Sequence, residues 1–193
     1  MEILGKILGN PARVKIMRLF MLNNSNVFEN KDIVKRSRVN PETVRKEIKL
    51  LASVGFVKSK KTGWSFNQSF KYVSEFENLL VGADTLDKNA IAEIFKKSGK
   101  VKLLAVAGTF IKNKESRVDL LIVGDKIKKT IVEEGIRKLE AEMGSEISYA
   151  IFETAEFLYR LNMYDKLVRD ILDFPHEVVI ESKELSTHSL KKN

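Results

Sequence analysis

The sequence predicts an α+β protein in two parts: three helices and a short basic hairpin, then a small α/β layer with a short mixed sheet. Three observations carry this. Apolar residues recur at helical spacing up to Ser53 and alternate thereafter as far as Asn67. From Val101 onward, apolar runs of strand length are separated by helical stretches. The charge is also divided: residues 1–66 hold 14 Lys+Arg against 5 Asp+Glu, and residues 67–193 hold 20 against 21. The net charge of +8 therefore sits entirely in the first third. That points to two domains and to an acidic polymer as partner of the first, against the plainer reading of solvated lysines.

Composition sets further bounds. The 193 residues are 44% hydrophobic and 31% charged, enough for ordinary cores under a well-solvated surface. There is no cysteine, which excludes disulfides and thiolate metal sites and fits a cytoplasmic location. Lys6, Arg13, Lys15 and Arg18 interrupt the apolar start, so neither a membrane span of roughly 18 apolar residues nor a signal peptide is expected. His176 and His188 are the only histidines and are not at metal-ligand spacing. No phosphate-binding P-loop, GxSxG or GxGxxG occurs, and no cofactor is expected.

The first part reads element by element. Asn10-Pro11 caps and opens a helix through Leu22, with Val14, Ile16, Met17, Phe20 and Met21 inward. Asn23 to Asn26 breaks it, and a second helix fits Asn30 to Arg36. Ser37-Arg38-Val39 turns, and Asn40-Pro41 opens a third helix to Ser53. At 100° per residue, Val44, Ile48 and Leu51 share one face of that helix. Glu42, Lys46, Lys49 and Ser53 fall opposite, with Thr43 and Arg45 on the flanks. Gly55 ends the helix, and Phe56–Lys60, Lys61-Thr62-Gly63 and Trp64–Asn67 form a hairpin with a basic tip. Trp64 is read as closing that hairpin against the helices.

This order resembles the winged helix-turn-helix of ArsR-like bacterial and archaeal repressors over about residues 8–67. Val54-Gly55-Phe56 after Leu50-Leu51 is similar to the family's habit at the same place. The resemblance implies double-stranded DNA as partner. Thr43, Arg45, Lys46 and Lys49 would sit in a major groove, and Lys58, Lys60 and Lys61 on the neighbouring phosphates. Residues 69–85 form a linker in which Ser69 to Leu80 suits an amphipathic helix, packed either within the chain or against a second copy in a homodimer. Gly82-Ala83-Asp84 breaks it.

The second part reads as a helix from Leu86 to Lys97 and a strand over Val101–Ala107. Gly108-Thr109 turns into a second strand, Val118–Val123, and a helix follows from Lys126 to Met143. A strand over Glu146–Phe152, helices Thr154–Leu161 and Tyr164–Leu172, and a strand Glu177–Ile180 complete it. A strand, a Gly-Ser-like turn, then an aspartate opening a second strand resembles the minimal nucleotidyltransferases of the DNA-polymerase-β-like superfamily, over roughly residues 100–181. That resemblance implies a pair of aspartates two apart on one strand face, holding magnesium ions that clamp a nucleoside triphosphate. Here Arg117 stands at the first aspartate position, Asp119 at the second and Gly108-Thr109 at the Gly-Ser turn. The third strand offers no carboxylate in its middle. Asp119 would pair with Arg117 or a nearby lysine if it took an ion-pair partner; the plainer reading makes it a strand-end residue satisfied by hydrogen bonds. The resemblance thus implies a degenerate, non-catalytic domain, with Gly108, Thr109, Arg117 and Asp119 as nucleotide-binding candidates and no metal.

The domains expected are 1–68 winged helix-turn-helix, 69–85 linker, 86–182 nucleotidyltransferase-like, and 183–193 disordered tail. The function expected is sequence-specific binding of double-stranded DNA as a transcriptional regulator. Its second domain would serve dimerisation or nucleotide sensing. The alternative is a magnesium-dependent nucleotidyltransferase acting on a protein or RNA, docked by the winged helix. An antitoxin-like interaction protein is a third reading.

Overall fold

The structure, a computed structural model, describes residues 3–81, 87–111, 113 and 116–185. Two Asn-Pro pairs set the frame of its first unit. Asn10 caps α2 (Pro11–Leu22), its side-chain oxygen accepting from the Ala12 N–H at 3.0 Å. Asn40 caps α4 (Pro41–Ser53) by accepting from the Thr43 N–H at 2.9 Å. In both, proline occupies the first turn, where a missing N–H costs nothing. Between them α3 (Asn30–Ser37) opens on a Glu29/Asp32 capping box and ends at Arg38, whose left-handed φ of 54° turns the chain sharply. A short α1 (Ile3–Ile7) packs on α2.

The strands of this unit are β1 (Val27–Phe28), β2 (Val57–Lys60) and β3 (Gly63–Phe66), antiparallel in the order β1-β3-β2. The β1 pairing with Trp64 and Ser65 is absent from the sequence reading, because a two-residue strand has no period to detect. Gly63 lies so close to the Phe28 carbonyl that a Cβ would collide with it.

One core serves all these elements. It contains Val14, Ile16, Leu19 and Phe20 from α2, Ile33 from α3, and Val44, Ile48 and Leu51 from α4. Phe56, Val57 and Phe66 enter from the hairpin, and Trp64 packs against the same core. Phe56 stands edge-on to Phe66, Phe70 and Phe76, with ring centroids 5.2, 5.3 and 6.2 Å away. These contacts tie α5 (Val73–Leu80) to the hairpin root. The segment read as a linker is thus packed into this unit through Phe70, Phe76 and buried Leu80, while Tyr72 and Leu79 stay exposed. Residues 82–86, which include the expected Gly82-Ala83-Asp84 break and the expected helix start at Leu86, lie outside the described residues.

Two buried charges organise the unit. Arg18 is 2% exposed, and its guanidinium donates to the Leu80 carbonyl at 2.7 Å and the Glu142 carbonyl at 3.0 Å. Residues 137–146 accordingly belong to this unit by their packing, not to the second domain expected from the sequence. Glu47 on α4 is 6% exposed and accepts from Arg13 Nε at 2.7 Å and Asn10 Nδ2 at 2.6 Å.

The second unit is a four-stranded sheet of β4 (Lys100–Val106), β5 (Leu120–Asp125), β6 (Tyr149–Glu153) and β7 (Glu177–Glu181), ordered β6-β5-β4-β7. β4 runs antiparallel to β5 and β7, and β5 runs parallel to β6. The parallel pair needs a crossover, supplied by α7 (Lys129–Met143). Leu103, Ala105, Leu121 and Val123 pack with Phe157 of α8 (Thr154–Asn162) and Val168, Ile171 and Leu172 of α9 (Lys166–Asp173). The alternate residues Leu104, Val106, Leu120 and Ile122 are buried as well, so the strands read as continuous apolar runs. α6 (Lys88–Phe95) meets α7 at Gly135, where a Cβ would press on Ile94 and Phe95.

Lys102, almost fully buried on β4, pairs with Asp125 at 2.9 Å and Glu184 at 2.7 Å. Hydrogen bonds to Glu184 and then Asp125 hold its ammonium above the ordinary lysine range. Lys183–Leu185 therefore forms a 3₁₀ turn with Leu185 in the core, where a disordered tail was expected to begin. Residues 186–193 of that expected tail, His188 included, lie outside the described residues. The mixed α+β class is as the sequence predicts. Among the described residues, no helix is long and apolar enough to cross a membrane.

Replacing Glu47 by Ala removes the shared acceptor of Arg13 and Asn10. It is expected to lower the unfolding free energy by about 2 kcal/mol in a urea titration. An unchanged midpoint would mean the network contributes nothing.

Candidate functional site

The cap at Asn40 and the buried stripe of Val44, Ile48 and Leu51 fix which side of α4 meets water. Arg45, Lys46 and Lys49 are exposed on it, together with Glu42 and Ser53, while Thr43 is half-buried beside its capping bond. Lys46 pairs with Glu42 at 2.8 Å, but both side chains are about three-quarters exposed, so water competes for each charge. At the end of α4, Gly55 takes a left-handed φ of 76°, and its carbonyl accepts from Asn67 Nδ2 at 2.8 Å. That bond pins the hairpin root to the helix end. Lys58 and Lys60 on β2 and Lys61 in the turn are all exposed. The seven residues singled out from the sequence thus lie on two successive elements of one unit, six of them open to solvent.

Glu47 escaped the sequence reading. It sits beside Val44 on the helical wheel, at the edge of the apolar stripe, and a carboxylate there signals a buried partner. That partner is Arg13, which also donates to the Leu8 carbonyl at 2.6 Å.

The second set, Gly108, Thr109, Arg117 and Asp119, is arranged differently from the expectation. Asp119 is 9% exposed and precedes β5. Its Oδ1 accepts from the Thr109 N–H at 2.6 Å and its Oδ2 from the Ser148 N–H at 2.8 Å. Its backbone is tied as well, the Ala107 N–H donating to the Asp119 carbonyl at 2.8 Å. Gly108, with φ of 52°, passes so close that a Cβ would strike Asp119 Oδ1. Among the described residues Asp119 therefore pairs with neither Arg117 nor a lysine: the backbone amides of Thr109 and Ser148 hold it. Arg117 instead faces Asp170 on α9 at 3.3 Å, with its side chain 61% exposed.

A magnesium pair needs two carboxylates on one strand face. Two residues beyond Asp119 is Leu121, buried in the core, and two before it is the cation Arg117. The Thr109 amide, which a phosphate would need, is already donated to Asp119. These residues do not fit a two-metal site.

No family model, no curated protein and no solved structure matches the chain.

Asp119→Asn presents one carbonyl oxygen and one NH₂ to two N–H donors. It is expected to cost about 2 kcal/mol of stability, read by thermal melting. Full retention of stability would show that the carboxylate is free for other chemistry.

Proposed function

We propose that the first unit is a winged helix-turn-helix that binds double-stranded DNA sequence-specifically, and that the protein is a transcriptional regulator acting as a homodimer. In this reading α4 is the recognition helix and the β2–β3 hairpin is the wing. The observation that carries it is the pairing of a rigidly capped α4, whose outer face bears Arg45, Lys46 and Lys49, with a hairpin bearing Lys58, Lys60 and Lys61. Arginine and lysine on such a face reach guanine edges or phosphates, and Thr43 can meet a thymine methyl. Hairpin lysines contribute salt-sensitive affinity without reading sequence.

The second unit serves, in this proposal, as a non-catalytic module for dimerisation or nucleotide sensing. The full engagement of Asp119 by backbone amides leaves the magnesium-dependent alternative without a metal-binding pair.

The test is fluorescence anisotropy of the full chain on duplex DNA across a salt series. Lys46→Ala with Lys49→Ala should weaken binding and reduce the slope of log affinity against log salt by about 0.9 for each phosphate no longer neutralised. The melting temperature should stay unchanged, since both side chains are exposed. Unaltered affinity would sink the assignment of α4. In the same assay Glu42→Gln, which removes the carboxylate held against Lys46, should strengthen binding to random duplex; weaker binding would place Glu42 in base readout instead.

A further inference from the structure

The second unit is nearly neutral by composition, yet six of its lysines are gathered at one end of the sheet. Two loops meet there: residues 96–100, leading from α6 into β4, and residues 126–129, leading from β5 into α7. The Lys128 N–H donates to the Ser98 carbonyl at 2.6 Å. Gly99, at φ of 148°, lies against the Lys126 carbonyl where no Cβ would fit. Lys126 itself takes a left-handed φ of 53°, and Lys100 stands opposite Asp125 in the β4–β5 ladder. These nine residues contain six lysines (Lys96, Lys97, Lys100, Lys126, Lys128 and Lys129) and no acid.

All six are exposed. Among the described residues only Lys96 has an ion-pair partner, Glu93 at 2.9 Å. The nearby carboxylates of Asp125 and Glu184 are both engaged by buried Lys102. Glu153 at the end of β6 and Glu181 at the end of β7 are exposed carboxylates at the same end of the sheet. The 15-residue α7 begins at Lys129 and adds the positive end of its dipole. Holding five unpaired ammonium groups on two interlocked loops raises their mutual repulsion, which a polyanion would relieve.

The chemistry of the patch narrows the partner. It has no exposed aromatic or aliphatic side chain to enter a bilayer, since Ile127 is half-buried. It has no arginine, asparagine or glutamine to read a base edge. Lysines alone act as point charges that follow a phosphate backbone. We propose that this lysine pole is a second, sequence-independent contact surface for the phosphate backbone of duplex DNA, carried by the second unit itself. It does not depend on the assignment of α4, because every residue in it belongs to the other unit.

The experiment uses the full chain with Lys97, Lys126, Lys128 and Lys129 changed to Gln, titrated onto a random duplex over a salt series. The comparison is a variant of equal charge in which Lys6, Lys71, Lys138 and Lys166, all exposed elsewhere, become Gln. The pole variant should lower the salt slope by about 2 to 4, far more than the comparison variant, with an unchanged melting temperature. Added to the Lys46→Ala, Lys49→Ala background, it should remove the binding that remains. Equal slopes for the pole and comparison variants would overturn the proposal. So would undiminished duplex binding together with abolished capture of phosphatidylserine vesicles, which would assign the pole to a membrane surface. Loss of binding in the α4 variant alone would support the α4 assignment and refute the pole; loss in the pole variant alone would do the reverse.

Discussion

The orientation of α4 rests on a buried carboxylate. Glu47 cannot be solvated where it lies, so it takes Arg13 and Asn10 as partners, and each of those has a second duty. Asn10 caps α2, and Arg13 holds the carbonyl of Leu8 at the end of α1. One acid thus fixes three segments at once. The buried stripe of Val44, Ile48 and Leu51 turns one side of α4 inward, and the carboxylate at its edge adds a directional constraint to that packing. The hydrogen bonds of Glu47 are directional, and together with the cap and the stripe they hold the outer face of α4 toward water. Any function of that face inherits its accuracy from a residue that does not belong to it.

Within the second unit, buried and exposed charges are treated in opposite ways. Around Asp119 the charge is consumed internally: amides from two loops converge on it, which fastens the turn at Gly108 to the start of β5 and to the chain before β6. Lys102 is consumed likewise, by Asp125 and Glu184. Burying these groups with partners leaves the exposed lysines of the 96–100 and 126–129 loops with few anions to satisfy them. The same folding that neutralises the interior concentrates positive charge at the end of the sheet.

Much of the fold was legible because its signals are local. The Asn-Pro pairs placed α2 and α4 to the residue, and Gly55 placed the end of α4, since caps act within four residues. The boundaries that shifted are those set by distant partners. The helix read from Lys126 begins at Lys129 because the preceding residues bond to the 96–100 loop. The strand read from Val118 begins at Leu120, Asp119 being occupied with Thr109 and Ser148. That Asp119 ends a strand and is satisfied by hydrogen bonds was legible, but its donors were not, because they are backbone N–H groups that every residue but proline possesses. The lysine pole was hidden for another reason. Its two runs lie apart in the chain, and a net charge summed over the whole domain averages them away against acids located elsewhere.

The fit between Gly108 and Asp119 also constrains how this sequence can drift. A side chain at 108 and the carboxylate at 119 cannot occupy the same space, so position 108 is held to glycine for as long as Asp119 keeps its place. Among descendants of this chain Gly108 should not be lost while Asp119 remains. A steric constraint of this kind preserves the outline of a turn whatever the residues around it come to do.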